Sequence, residues 1–82
     1  MRRIWFGEAE CRGNVVRYYL VAEEWKKLGE SYGLQVRCGE DSEMIPDITS
    51  SQRHIETLLE ALVRGGVTPV NAREVVEDWL NS

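Results

Sequence analysis

Two β-rich runs, Arg3 to Glu10 and Val15 to Glu23, flank Arg12-Gly13-Asn14, and a turn signal between two such runs predicts a hairpin. A three-residue loop, Cys11-Arg12-Gly13, with Gly13 supplying a positive φ, sets Glu10 opposite Asn14, Phe6 opposite Tyr18 and Ile4 opposite Leu20. One face of the hairpin then carries Ile4, Phe6, Val16, Tyr18, Leu20 and Ala22. The other carries Arg3, Trp5, Gly7, Ala9, Val15, Arg17, Tyr19 and Val21. A two-residue loop would reverse the mutual facing of the strands. A polar stretch, residues 24–31, leads to a third run, Tyr32 to Cys38. There Leu34, Val36 and Cys38 alternate with Gln35 and Arg37, as in a half-buried strand. Gly39 to Glu43 reads as an acidic turn. Met44 to Ile48 reads as a short extended segment that Pro46 restricts to an edge or a loop.

The second half carries a helical period. Ile55, Leu58, Leu59, Leu62 and Val63 recur as one buried helix face. Thr49-Ser50-Ser51-Gln52 offers capping oxygens before it, with Gln at capping-box spacing, and Gly65-Gly66 closes it. Thr68 as N-cap with Pro69 at the first helical position starts a second helix. Val75, Val76, Trp79 and Leu80 form its apolar side, while Arg73, Glu74, Glu77 and Asp78 face water. The expected fold is α+β: a three-stranded antiparallel β-meander followed by an αα-hairpin packed on one sheet face. All 82 residues form a single domain, with the sheet half at about 3–40 and the two helices at about 50–81.

Composition narrows the function classes. The formal charge is −4, unevenly spread: residues 1–37 sum to 7 − 5 = +2 and residues 38–82 to 3 − 9 = −6. That balance weighs against a general binder of nucleic acid or anionic membrane. No apolar run approaches the ~18 residues of a membrane-spanning helix. The apolar stretch after Arg2-Arg3 is too short for a signal-peptide core, so a cytoplasmic location is expected. A structural zinc site wants about four Cys or His ligands, whereas the chain has only Cys11, Cys38 and His54. In the meander Cys11 and Cys38 stand on the first and third strands, about 9–10 Å apart. That exceeds the ~7 Å Cα limit of a disulfide, although another strand order would reopen the question. No cofactor is expected, because Gly65-Gly66 precedes Val67-Thr68 rather than the Lys-Ser/Thr of a phosphate loop. His54, in the first turn of a helix, has neither a nucleophile nor an orienting partner at a recognisable spacing. The set Glu74, Glu77 and Asp78 reads as a solvated helix face, with Arg73 and Glu77 as an ordinary surface pair. Without a paired acid and base, a nucleophile motif or a ligand cluster, the chain is expected not to be an enzyme.

Tyr18-Tyr19-Leu20, Tyr32-Gly33, Ile48-Thr49-Ser50, Val67-Thr68-Pro69-Val70 and Val75-Val76-Glu77-Asp78-Trp79-Leu80 together resemble an uncharacterised family of small bacterial proteins from spore-forming anaerobes, a domain of unknown function. The likeness runs from about residue 18 to residue 80, and it implies a cytoplasmic bacterial protein with no assigned chemistry.

One feature points to function. Two helices cover a single sheet face, yet both hairpin faces carry large apolar residues. If Ile4, Phe6, Val16, Tyr18 and Leu20 face the helices, then Trp5, Val15, Tyr19 and Val21 are left outside, with Arg3 and Arg17 at their rim. Exposed clusters of this kind often mark interfaces. The alternatives are that the N-terminus, the Trp25 loop or strand twist covers them, or that the faces are reversed. Trp5, Val15, Tyr19, Val21, Arg3 and Arg17 are therefore the candidate surface for a protein partner or for a homodimer. The rival reading is weak nucleic-acid binding, with bases stacked on Trp5 and Tyr19 beside the arginines.

Overall fold

The first hairpin closes more tightly than its sequence suggests. In the computed structural model, which describes residues 1–25 and 29–82, Cys11 pairs with Asn14 across a two-residue loop. Both loop residues have positive φ, 53° at Arg12 and 82° at Gly13, the I′ turn geometry whose twist suits a hairpin. The strands are β1 (Arg2–Cys11) and β2 (Asn14–Trp25). Near the turn their register is shifted by one from expectation, so Glu10 faces Val15 and Gly7 faces Tyr18. A bulge between Trp5 and Gly7, with Phe6 as the extra residue, then restores the expected pairing: Trp5 with Tyr19, Ile4 with Leu20 and Arg3 with Val21. Because a bulge inverts the alternation beyond it, Gly7 and Ala9 leave the outer face predicted for them and join the helix-covered side. There Ala9 packs against the core.

The sheet has four strands, not three. After β3 (Gly29–Cys38), Cys38 pairs with Asp41 across Gly39-Glu40, and β4 (Asp41–Thr49) returns antiparallel beside β3, giving the order β1-β2-β3-β4. This overturns the three-stranded meander. The segment read as an acidic turn plus a short extended piece is one edge strand, turned by Gly39 at φ 59°. Pro46 is tolerated because it lies on the edge. A second irregularity follows it, since Tyr32 pairs with Thr49 but Leu34 with Ile45, and Asp47 there adopts φ 54°. The sheet half thus extends to Thr49, beyond the expected boundary. Residues 26–28, the middle of the expected polar connection, lie outside the described residues.

Both helices form where the hydrophobic period places them, α1 over Gln52–Gly65 and α2 over Pro69–Asn81. Ser51 caps α1, its hydroxyl accepting the His54 N–H at 3.2 Å; Gly66 ends it in the left-handed region at φ 60°. Gln52 binds Glu56 rather than completing a capping box. In α2, Thr68 is the N-cap and Pro69 opens the helix, with no side-chain cap bond. Its buried line is Pro69, Ala72 and Val76, with Val75 and Trp79 half-buried beside it. Leu80, expected on the apolar side, is 48% exposed, because it lies about 100° round the helix from Trp79. Arg73 reaches Glu43 on β4 at 3.3 Å, not Glu77 on its own helix.

The core lies between these helices and one sheet face. Val16, Tyr18, Leu34, Val36, Ile55, Leu58, Leu59, Leu62, Ala72 and Val76 are all but fully buried. Helix α1 crosses all four strands, while α2 rests on β3 and β4. The antiparallel helices meet at their free ends, where the His54 and Trp79 rings lie 4.7 Å apart. Among the described residues the opposite sheet face carries no helix.

Candidate interaction face

The bulge at Phe6 decides which residues share the uncovered face. Before it, Arg3 and Trp5 point outward; after it, Glu8 and Glu10 do. From β2 come Val15, Arg17, Tyr19 and Val21, and from β3 Gln35 and Arg37. The pairing arranges them in rows across the strands: Trp5, Tyr19, Gln35, Met44 in one, and Glu8, Arg17, Arg37, Ser42 in the next. All six sequence-predicted residues, Trp5, Val15, Tyr19, Val21, Arg3 and Arg17, therefore lie on this one face.

They are not equally available. Trp5 is 55% exposed and Val15 41%. Arg17 is exposed and Tyr19 half-buried. Val21 is only 1% exposed and leaves the candidate surface. Its partner across the ladder is Gly33, and a Cβ placed on Gly33 would meet the Ile45 carbonyl oxygen at 2.3 Å and Pro46 Cα at 2.6 Å. The irregular part of β4 thus folds over the outer face above Gly33. Asp47 fixes it there by accepting a hydrogen bond from the Ser31 hydroxyl. Over Gly33 the face is covered by β4, an element absent from the expected fold. The Trp25 loop, weighed as a cover, runs into residues 26–28 and lies outside the described residues.

Arg3 is held rather than free. Its guanidinium carbon stands 4.7 Å from the Tyr19 ring centroid, a cation–π distance. Its Nη1 donates to Gln35 Oε1 at 3.0 Å, and Gln35 Nε2 donates to the Ser42 hydroxyl at 2.8 Å. This chain of contacts runs from β1 across β2 and β3 to β4 and buries Gln35 to 8% exposure. The network presents a preorganised cation and an aromatic plane side by side, with Trp5 adjacent. Gln35, Arg37 and Ser42 join the same network or row without standing among the candidates from sequence. The alternation of the third strand already places Gln35 and Arg37 opposite Leu34 and Val36; Ser42 lies in Gly39 to Glu43, which reads as an acidic turn and gives no strand signal. Arg17 and Arg37 are direct cross-strand neighbours, a like-charge pair with Glu8 opposite Arg17 on its other side.

The covered face has its own polar contacts, which serve the fold. Tyr18 Oη donates to the Val67 carbonyl at 2.7 Å, and burial, with Cys11 and Cys38 nearby, pushes its pKa up to about 12. Tyr32 Oη donates to Glu30 at 2.6 Å, which raises the tyrosine above its usual value; Arg2 pairs with the same carboxylate. Cys11 and Cys38 are free thiols on β1 and β3, with β2 between them. Among the described residues no three His, Cys, Asp or Glu side chains gather in a way that could hold a metal ion. No helix among them is long and apolar enough to cross a membrane. Glu74, Glu77 and Asp78 are exposed on α2.

No curated protein and no solved structure matches the chain. Residues 6–82 match a family of unknown function (DUF6514), which agrees with the expectation of a domain of unknown function. The match spans all but the first five residues, covering β1 from Phe6 onward, β2 to β4 and both helices, and the chain belongs to this family of unknown function.

Proposed function

We propose that this chain is a small, non-enzymatic interaction module that binds a protein partner through its uncovered sheet face. The observation that carries the reading is the asymmetry of the layers: both helices lie on one face, while the other presents Trp5 at 55% exposure beside Tyr19 and its stacked Arg3. A large aromatic next to a preorganised arginine is the composition of an interface anchor. The working surface is Trp5, Tyr19, Arg3, Arg17 and Val15, joined by Arg37. We place the module in the cytoplasm of a bacterium of the spore-forming anaerobe kind. The test is affinity capture from lysate of such a host by wild-type chain and by Trp5→Glu/Tyr19→Glu, each with and without nuclease. A stoichiometric protein retained by wild type after nuclease and lost by the variant is the expected result, with the variant's fold checked by circular dichroism. Capture that is equal for both chains overturns the face as the binding surface.

Single-stranded nucleic acid is the second reading, favoured by Arg17 standing opposite Arg37 one row from Trp5 and Tyr19. Base stacking beside phosphate contacts requires that combination. The net charge of −4 opposes it, as does the small number of arginines. Loss of the captured material on nuclease treatment would select this reading over the first.

A further inference from the structure

The two edges of the sheet are built differently. On β4 the edge is blunted by Pro46, which has no N–H to donate, by the irregularity at Asp47 and by α2 packed alongside, all devices that keep another strand away. The β1 edge has ten residues, Arg2–Cys11, without proline. Its charges are ordered: Arg2 and Arg3 at the start, Glu8 and Glu10 at the end. Ile4 is 48% and Trp5 55% exposed along it.

The bulge makes this order meaningful. In an antiparallel ladder, alternate residues turn their backbone groups toward the neighbouring strand. Counting from the closing pair Cys11–Asn14, the residues of β1 that direct N–H and C=O away from β2 after the bulge are Glu8 and Glu10. Before it, following the alternation of β2 through Tyr18 and Tyr19, they are Arg3 and Trp5. The same four side chains all stand on the outer face. A second copy running antiparallel meets every condition in one register, with Arg3 opposite its Glu10, Trp5 opposite its Glu8 and Ile4 opposite its Ala9, the dyad passing between Phe6 and Gly7. Outward-directed backbone then faces outward-directed backbone. Outer-face side chains face outer-face side chains, and Ile4 meets Ala9 on the helix side. Without the bulge, shifting to the other parity would pair side chains of opposite faces. Charges that only protected the edge would repel a second copy; these attract an antiparallel one and repel a parallel one.

We infer that two copies of this chain join edge to edge through β1, forming one continuous eight-stranded antiparallel sheet with the Arg3–Glu10 pair repeated across the dyad. The inference shares Arg3 and Trp5 with the face reading: to reach Glu10 of a second copy the Arg3 guanidinium turns from Tyr19 and Gln35 toward the edge, while Tyr19, Arg17 and Arg37 of both copies stay on the enlarged outer face.

Native mass spectrometry and size exclusion with light scattering of the full chain provide the test. At ~100 μM, a pair with Kd of ~10 μM is mostly dimeric. Wild type is expected at 2 × 9.4 = 18.8 kDa. Arg3→Glu and Glu10→Arg are each expected at the 9.4 kDa monomer mass, because either substitution puts two like-charge pairs on the interface. Mixed in equal amounts they are expected to return to the dimer mass as a heterodimer, since the two reversed charges then face each other. Arg3→Glu also removes the stacking on Tyr19, so where circular dichroism shows it unfolded, Glu10→Arg decides alone. A monomeric wild type, a dimeric Glu10→Arg, or failure of two folded variants to recombine each overturns the proposal. Tyr19→Glu is expected to remain dimeric while losing any captured partner, which separates failure of the edge from failure of the face.

Discussion

At Tyr18 a single hydroxyl joins parts of the chain that lie 49 residues apart. The ring fills the middle of the core from β2, and its Oη donates to the carbonyl of Val67 in the connection between the helices. Tyr18→Phe keeps the ring and leaves that carbonyl without its donor, so a loss of about 1–2 kcal/mol in urea unfolding is expected. The same group sets an alkaline limit. The native pKa is about 12 against 10.0 for a free tyrosine. Below pH 10 the hydroxyl is neutral in both states and its contribution is fully present. Between pH 10 and about 12 only the unfolded chain sheds the proton, so stability falls through that window. The wild-type advantage over Tyr18→Phe is therefore expected to shrink from pH 10 to 12; a constant difference would mean that the hydroxyl ionises equally in both states.

Strand β4 depends on what β3 lacks. Gly33 has no Cβ, and the Ile45 carbonyl and Pro46 Cα occupy the space where one would stand. Both atoms are backbone and cannot rotate away, so Gly33→Ala is expected to cost roughly 3 kcal/mol, near the upper range of overpacking. The accompanying local signature is faster amide exchange in β4. Equal stability and unchanged exchange would show that β4 does not depend on this approach. This strand also explains what could be read from the sequence and what could not. The helices were legible because a buried stripe from Ile55 to Val63, a serine cap and the Gly65-Gly66 stop all agree. The β1–β2 pairing beyond the bulge was legible for a similar reason, since Ile4, Leu20 and their neighbours alternate. The closing turn was not, because Arg12 sits in the left-handed region that glycine normally supplies. The bulge at Phe6 has no residue signature of its own; it reconciles a two-residue turn with the facing that Ile4 and Leu20 need. Pro46 and Asp47 read as loop residues because loops are where proline and positive φ usually occur. Here they shape an edge strand, which hid Ser42 and the cover over Gly33 but left Trp5, Tyr19, Arg3 and Arg17 grouped on one face.

For the molecule as a whole, topology ranks the strands. β2 and β3 are paired on both sides and lie under α1, so their amides require the largest opening to exchange. β4 is held by one strand, both helices and the Arg73–Glu43 contact, and β1 by one strand and α1. In an isolated chain the outward amides of Arg3, Trp5, Glu8 and Glu10 have only water as partner, and they should exchange quickly at any concentration. In the edge-joined pair those four amides become ladder donors, while those of Ile4 and Ala9 already point toward β2. Because association is governed by mass action, raising the protein concentration by about a hundredfold is expected to slow exchange at positions 3, 5, 8 and 10 selectively. Residue-resolved hydrogen exchange reads this directly. Concentration-dependent slowing at Arg17, Tyr19 and Arg37, without change along β1, would instead place the contact between copies on the sheet face. The continuous-sheet geometry would then be wrong even though the chain still dimerised.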